Sequence, residues 1–383
     1  MITPVVKDTG GDISSTTNYR GITLSVVFAS MFESAILNKI GHLLITDHLQ
    51  FGYKRGHSTS HAIHVMRTCI DYFTSPGSNV FAAFLDCSKG FDKIDHSGIF
   101  QKLMDRKIPL YFLNVIVYWY RNLSSVVKWN GAFSESFQVT SGVRQGGILS
   151  PRLFIIYVND LLVALRDSKA GCHIADLFVA AIMYADDLTL LAPTRSSLQR
   201  LLDVCQSYGL DWCISYNPTK TNVMIFGKPV QFEPLYLNNV PITLVSECKY
   251  LGVHVLAGKE FSTSAKKPLS SFLCSANTIL NVLRKPSEQV LLKLLYTNCV
   301  TILTYACEVK TYTGRVMMRL DVALNDCIRK IFSFNRWEST RELRRSFGYL
   351  SITEMFAKRQ ISFQSRLHSI GNPVLMRLKT LSP

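Results

Sequence analysis

The chain has 383 residues, 48% of them hydrophobic and 18% charged, and its formal net charge is +15 at pH 7. This composition predicts globular domains with ample core and excludes a disordered chain. Apolar runs stay short of the roughly 18 residues that a membrane span needs, and the amino-terminal segment lacks a signal-peptide profile. Ten cysteines without zinc-ligand spacing predict reduced thiols in an intracellular protein, nuclear or cytoplasmic.

Helices and strands alternate in the predicted elements up to about residue 258. Hydrophobic periodicity and turn residues locate them. The predicted helices span 31–45, 58–74 with Ser58 as its cap, Pro109 to about Leu123, 150–165, and Ser196 to about Tyr208. The predicted strands span 80–86, 126–131 paired with 136–140 through an Asn130-Gly131 turn, 177–185, 188–192, 222–227 and 248–255.

Beyond residue 262 the pattern is helical to the end, with breaks at Pro286, Gly314 and Gly348. This part of the chain is also the most basic. Residues 259–383 hold 20 Lys and Arg against 8 Asp and Glu. We therefore predict two domains, an α+β domain over 1–258 and a basic all-α domain over 259–383. A basic domain suits nucleic-acid phosphates, although a generic basic surface or another contact has the same composition.

The segment Tyr184-Ala-Asp-Asp187 places two adjacent carboxylates within an apolar stretch. Apolar residues on both sides predict two strands with the acidic pair at the turn between them. Buried charges are costly unless something positive meets them, so the pair predicts a divalent-metal site. A solvated hairpin tip is the alternative.

A second acidic strand end strengthens the metal hypothesis. The apolar run 80–85 ends in Asp86. One carboxylate from a strand and two from a hairpin are the donor set of a two-metal site, for which Mg²⁺ is suited. Taken alone, Asp86 could instead cap a helix, a role that Ser88 could equally fill.

Seven segments of the chain form an ordered set of motifs. The segments are Asn18–Leu24, Gln50–Thr59, Phe84–His96, Ser141–Phe154, Tyr184–Asp187, Gly209-Leu210 with Asn217–Thr221, and Lys249–Gly252. In this order they resemble the motifs of one family, the reverse transcriptase domain of non-LTR (LINE-type) retrotransposons. The resemblance implies a right-hand polymerase fold, with an α+β palm and fingers followed by an all-α thumb-like region. It also implies RNA-directed DNA polymerase activity, with an RNA template, a DNA primer and dNTPs as partners and no membrane.

The resemblance assigns catalytic roles to four residues. Asp86, Asp186 and Asp187 would hold Mg²⁺, or Mn²⁺ in its place, with Asp187 the lesser ligand. Lys220 would protonate the leaving pyrophosphate, although a solvated turn lysine fits the same position. Metal ions and positioning would supply most of the rate enhancement.

Other residues would contact the nucleotide and the primer. Arg20, Lys54, Arg55, Phe91 and Gln145 are the nucleotide-binding candidates, and Tyr250, Leu251 and Gly252 resemble a primer grip. Phe91 would pack under the sugar, yet it could be a core residue, as could Tyr250. Gln145 with its two following glycines could be a plain turn, and exposed basic residues are common. Asp92 and Asp95 are predicted to form a local cluster with Lys93 and His96 at a helix start.

Three hypotheses remain open from the sequence. The first is an active reverse transcriptase, in a copy of the element that lacks the endonuclease. The second is a catalytically inactive, truncated remnant that only binds nucleic acid. The third is a group II intron maturase, against which the phrase Phe84-Leu-Asp-Cys-Ser-Lys89 argues. The oligomeric state stays open.

Overall fold

A computed structural model describes residues 1–87, 90–231, 233–282, 286–367 and 369–381. The chain divides into two compact units. The first unit holds 1–57, 81–223 and 232–243, and the second holds 58–80, 224–231 and 244–383. Ser88, the alternative helix cap, lies outside the described residues. The predicted boundary between 258 and 259 stays a prediction.

The first unit mixes helices with short strands. Its helices are Val27–Ile40, Gly90–Lys93, His96–Asp105, Leu110–Arg121, Ser150–Tyr157, Asn159–Asp167, Arg195–Asp211 and the 3-10 turn Thr16–Asn18. Its strands are Ile2–Val6, Tyr19–Thr23, Ser124–Ser125, Lys128–Trp129, Ala132–Phe133, Phe137–Gln138, His173–Ile174, Leu177–Phe178, Ala181–Tyr184, Asp187–Ala192, Tyr236–Leu237 and Val240–Pro241. Strands Val80–Leu85, Asn222–Phe226 and Thr243–Leu244 run across the division.

Three neighbouring antiparallel strands of the main sheet carry the acidic residues. Asp187–Ala192 lies between Ala181–Tyr184 and Val80–Leu85. The register pairs Leu188 with Met183 on one side and with Leu85 on the other. All six residues of Val80–Leu85 are buried. A strand buried on both faces has a continuous apolar run, which is why the sequence revealed it.

The structure corrects several predicted boundaries in this sheet region. The strand predicted over 177–185 is interrupted, since Leu177–Phe178 pairs with His173–Ile174 and a separate strand begins at Ala181. A hairpin does turn at Asn130-Gly131, but its second strand is Ala132–Phe133, which pairs with Lys128–Trp129, and not the predicted 136–140. Both turn residues have positive φ, +46° and +84°, as this tight turn requires.

The helices of the first unit also differ in their ends. The predicted helix 31–45 begins at Val27 and ends at Ile40, and the predicted helix 150–165 divides at Val158. Thr194, not Ser196, caps Arg195–Asp211 by accepting from the amide of Ser197. Helix His96–Asp105 was not predicted, although its cap Asp95 was assigned to a helix start.

The second unit is mainly helical. Its helices are Thr59–Thr74, Lys266–Val282, Glu288–Leu294, Val300–Thr304, Gly314–Phe332, Arg341–Ser346, Ile352–Arg366, Pro373–Leu381 and the π-helix Leu295–Cys299. Its strands are Glu247–Tyr250, Val253–Leu256 and Ser262–Thr263. The strand predicted over 248–255 is thus a hairpin. Ser58 caps Thr59–Thr74, as predicted, within a capping box.

Apolar residues at helical spacing build the core of the second unit. Leu320, Leu324 and Ile328 lie four residues apart on Gly314–Phe332 and are buried. They share one cluster with Phe272 and Phe356 from neighbouring helices. Burial of these side chains supplies the main stabilising term, since each large apolar side chain contributes roughly 1.5–3 kcal/mol.

Candidate active site

A cleft of about 790 Å³ opens within the first unit. Charged side chains of both signs line it. The acidic residues are Asp86, Asp92 and Asp186, and the basic residues are Lys7, Arg20, Lys93, Arg144 and Lys220. A site of this composition can hold an anion of high charge together with a cation.

Two strand ends deliver the acidic side chains to the cleft. Asp86 follows Val80–Leu85, and its carbonyl accepts from the amide of Asn217 at 2.9 Å. Asp186 lies in the turn between Ala181–Tyr184 and Asp187–Ala192, the acidic hairpin. Asp187, the next residue, is exposed and does not line the cleft.

The carboxylates interact electrostatically. Partial desolvation of its carboxylate, together with the charges of Asp186 and Asp86, raises the pKa of Asp187 to about 6. Burial likewise raises the pKa of Asp186, where Asp86 adds to the effect and Arg20 opposes it. Mutual repulsion of this kind is relieved by a cation. These oxygen donors therefore suit a hard divalent ion.

Across the part of the chain that the structure describes, no three His, Cys, Asp or Glu side chains are gathered closely enough to hold a metal ion. The donor set fits a divalent ion in its chemistry, and two of its three members line the cleft. The three-aspartate metal site therefore stays a prediction.

Gln145 lies on a loop at the edge of the cleft. Its side-chain amide donates to Asp92 at 2.7 Å, and its carbonyl accepts from the amide of Thr23. Gly146 follows with φ +119°, and a Cβ there would lie 2.6 Å from the Thr23 carbonyl oxygen. A glycine is required at this close approach.

A buried ion pair anchors the same loop. Glu33, on helix Val27–Ile40, pairs with Arg144 and is 3% exposed. Its other carboxylate oxygen accepts from the amide of Ile148 at 2.6 Å. The Arg144 guanidinium also lies 5.0 Å from the centre of the Trp119 ring. The loop bearing Gln145 is therefore tied to the helix through Glu33.

Phe91 lines the cleft and stacks on Phe154, with ring centres 4.3 Å apart. The ring centres of Tyr53 and Phe91 lie 6.1 Å apart in a T-shaped arrangement, and Tyr53 also lines the cleft. Burial raises the pKa of Tyr53, and the charge of Asp186 contributes. The stack holds Phe91 in one orientation at the cleft surface.

The basic candidates are placed differently from one another. Arg20, on strand Tyr19–Thr23, and the exposed Lys220 both line the cleft. Lys54 instead donates to the carbonyls of Thr46 and Asp47, at 3.3 and 2.5 Å. Burial lowers the pKa of Lys54 to about 8. Arg55 is exposed on the same loop. The nucleotide-binding roles of Lys54 and Arg55 stay predictions.

Tyr250, Leu251 and Gly252 lie in the second unit, at the turn of the hairpin Glu247–Leu256. Leu251 and Gly252 have φ of +45° and +80°. The Tyr305 hydroxyl donates to the Leu251 carbonyl at 3.0 Å, and a Cβ on Gly252 would lie 2.9 Å from the Tyr305 ring. The turn is therefore held against Tyr305, and Tyr250 is buried.

The predicted cluster at residues 92–96 takes another form. Asp95 caps helix His96–Asp105, but Lys93 contacts Ser215 and His96 contacts the Gly142 carbonyl. Two residues of the site carried no signal in the sequence: Lys7, which lines the cleft, and Glu33, which anchors the Gln145 loop. Tyr53 also lines the cleft, and its place in the motif segment Gln50–Thr59 is the one signal that could have indicated it.

The fold and this cleft define a class of protein: an α+β domain in which strand-end carboxylates share a cleft with basic side chains. Within that class, the chain belongs to the family described as "Reverse transcriptase (RNA-dependent DNA polymerase)", which matches residues 6–255. The family expected from the sequence motifs is thereby confirmed.

Relatives support the same family. The chain is 24% identical to "Probable RNA-directed DNA polymerase from transposon BS" of Drosophila melanogaster, over 99% of this chain and 43% of the relative. It is 24% identical to "RNA-directed DNA polymerase from mobile element jockey" of Drosophila funebris, over 94% and 40%. The chain thus spans less than half the length of these relatives.

A solved structure, apo telomerase from Candida tropicalis, is similar in fold. The TM-score is 0.50 at 10% identity, covering 95% of this chain and 62% of the telomerase. This likeness confirms the predicted α+β polymerase fold with a helical carboxy-terminal region. Among the described helices, none combines the length and apolar character needed to cross a membrane.

Proposed function

We propose that this chain is an RNA-directed DNA polymerase, which extends a DNA primer on an RNA template with dNTPs. The observation that carries the proposal is the cleft, where Asp86 and Asp186 lie among five basic side chains. Triphosphate, primer end and cation together require this arrangement of opposite charges. The names of the two relatives point to the same activity.

The three carboxylates and two of the basic residues have assigned roles in the proposed reaction. Asp86 and Asp186 would hold the ion, with Asp187 beside them. When bound, Mg²⁺ or Mn²⁺ would lower the pKa of the primer hydroxyl and neutralise triphosphate charge. Arg20 binds phosphate oxygens, for which its planar guanidinium is suited. Lys220 donates a proton to the leaving pyrophosphate.

Phe91 selects the sugar in this proposal. Its stacking on Phe154 fixes the ring, so a 2′-hydroxyl meets a rigid surface. Phe91→Ala is expected to raise incorporation of rNTPs relative to dNTPs by about tenfold or more, because a methylene-sized steric term is already worth 10–200-fold. Gln145, held by Asp92 and Thr23, lies against the base pair being formed.

The second unit holds the primer and the duplex. The turn at Leu251-Gly252 contacts the primer end, and the basic helical region contacts phosphates. Binding by that region should weaken with salt, as phosphate contacts do. The RNA template, DNA primer and dNTPs are thus the proposed partners.

A second candidate is a protein that binds nucleic acid without catalysis. The observation in its favour is that the described residues hold no group of three metal-ligating side chains. Both candidates predict RNA binding, so only catalysis separates them.

Extension of a DNA primer on an RNA template with dNTPs and Mg²⁺ tests the proposal. The test variant is Asp186→Asn, and the matched control is Asp203→Asn, an exposed carboxylate on helix Arg195–Asp211 that accepts from Gln199. We expect extension by the parent and by Asp203→Asn, and a loss of at least a hundredfold, roughly, in Asp186→Asn. RNA binding without extension by the parent would overturn the polymerase and favour the binding protein.

A further inference from the structure

A fully buried glutamine holds the turn of the acidic hairpin. Gln50 is 0% exposed and contacts both polar backbone groups of Ala185. Its side-chain oxygen accepts from the Ala185 amide at 3.0 Å, and its side-chain nitrogen donates to the Ala185 carbonyl at 3.3 Å. The same oxygen accepts from the Gly52 amide at 2.8 Å. One side chain thus joins the segment 50–52 to the residue that precedes Asp186.

Backbone contacts extend this attachment along the hairpin. The Phe51 amide donates to the Met183 carbonyl at 2.8 Å, and the Met183 amide donates to the Leu49 carbonyl at 2.9 Å. Gly52 lies so close that a Cβ there would stand 2.3 Å from the Ala185 nitrogen. Side chains larger than hydrogen cannot fit at residue 52 unless the turn moves.

The turn needs this support because its backbone is unusual. Ala185 has φ +58°, in the left-handed region that residues with a Cβ rarely adopt. Such a conformation persists only where the surroundings determine it. Gln50 gives a hydrogen-bond partner to both the N–H and the C=O of Ala185 in that conformation.

We propose that Gln50 is a positioning residue that fixes the direction of Asp186 by holding Ala185 in its left-handed conformation, with Gly52 providing the space. Gln50 is fully buried, so it acts through the hairpin and touches no substrate. Its amide is neutral, so it orders the turn without adding charge beside the carboxylates. The catalytic consequence rests on the polymerase proposed above, whereas the structural one does not.

Hydrogen exchange at the Ala185 amide tests the structural part directly. Gln50→Met keeps the volume and removes the acceptor, so exchange in the peptide covering 183–188 should accelerate by roughly tenfold to a hundredfold. Gln50→Glu keeps an oxygen acceptor and should exchange at an intermediate rate. Gln360→Met is the matched control, because Gln360 also donates its amide to two carbonyls, those of Cys307 and Lys310.

Unchanged exchange in Gln50→Met, with far-UV circular dichroism like the parent's, would overturn the proposal. Should Gln50→Met fail to fold, Gln50→Glu carries the same comparison. Equal acceleration in Gln50→Met and Gln360→Met at 183–188 would mean a general loss of stability and would also overturn it.

Steady-state kinetics test the catalytic part. We expect kcat of Gln50→Met to fall by about a hundredfold, since a small misplacement of a reacting group has that effect. KM for dNTP and the Kd for primer–template should stay within about threefold. A rise in KM with unchanged kcat would contradict positioning. If the parent itself does not extend primers, the polymerase proposal fails while the exchange result still decides the role of Gln50.

Discussion

The buried ion pair between Glu33 and Arg144 should contribute measurably to the free energy of unfolding, because it anchors the loop that carries Gln145. The Glu33 side chain is 4% exposed and that of Arg144 is 11% exposed. Glu33→Gln removes the negative charge but leaves one oxygen for the Ile148 amide. Stranding one partner of a buried pair costs about 3–5 kcal/mol. Because the guanidinium still lies over Trp119, we place the expected loss at the lower end, about 3 kcal/mol.

Urea unfolding followed by tryptophan fluorescence measures this loss. Trp119, Trp129 and Trp212 lie in the first unit, so the signal reports mainly on that unit. The control is Glu233→Gln, since Glu233 is 79% exposed and 3.8 Å from Arg195. An exposed pair of this kind contributes at most about 1 kcal/mol.

A double-variant cycle separates the pair from the individual residues. Arg144→Met in the Glu33→Gln background removes the stranded charge. The double variant should therefore lose about 2 kcal/mol less than the sum of the two single-variant losses. A loss below about 1 kcal/mol in Glu33→Gln, or losses that add, would refute the claim that this pair anchors the loop.

Two further predictions concern the second unit. Burial lowers the pKa of His64 to about 4, with Arg67 and His61 contributing. The unfolded chain takes up this proton near pH 6.5, whereas the folded chain does not. The free energy of unfolding should therefore fall by about 2 kcal/mol between pH 7 and 5. His64→Gln should remove that pH dependence in urea titrations. Tyr305→Phe removes the hydrogen bonds of the Tyr305 hydroxyl to the Leu251 carbonyl and to Thr59. The free energy of unfolding should fall by about 1 kcal/mol. A fall below about 0.3 kcal/mol would contradict the role of Tyr305 in holding the turn.

The sequence predicted those parts of the site whose signal is local. Val80–Leu85 is an uninterrupted apolar run, and the acidic hairpin has apolar residues on both sides of its two carboxylates, so their strands and the position of Asp86 and Asp186 could be inferred. Short strands such as Leu177–Phe178 could not, because a two-residue strand has no period to detect. Their pairing depends on partners that only the fold supplies.

The roles of basic and anchoring residues were harder to infer. Lys54 sits in a motif segment, yet its ammonium group contacts two carbonyls of a nearby loop. Glu33 lies on a helix with no pattern that distinguishes it from a solvated glutamate. Its contacts join residues more than 100 positions apart, and such tertiary contacts leave no trace in local periodicity.

The two anchoring residues differ in charge, and the difference follows from what each one holds. Gln50 holds a turn beside two carboxylates, where a charged anchor would either repel them or compete as their counter-ion. A neutral amide avoids both effects while satisfying a donor and an acceptor. Glu33 holds a loop that begins with the cation Arg144, so an anionic anchor is paired as well as hydrogen-bonded. Exchanging the two chemistries should therefore fail at both places: Gln50→Glu weakens the hold on the hairpin turn, and Glu33→Gln leaves the Arg144 guanidinium without its counter-charge.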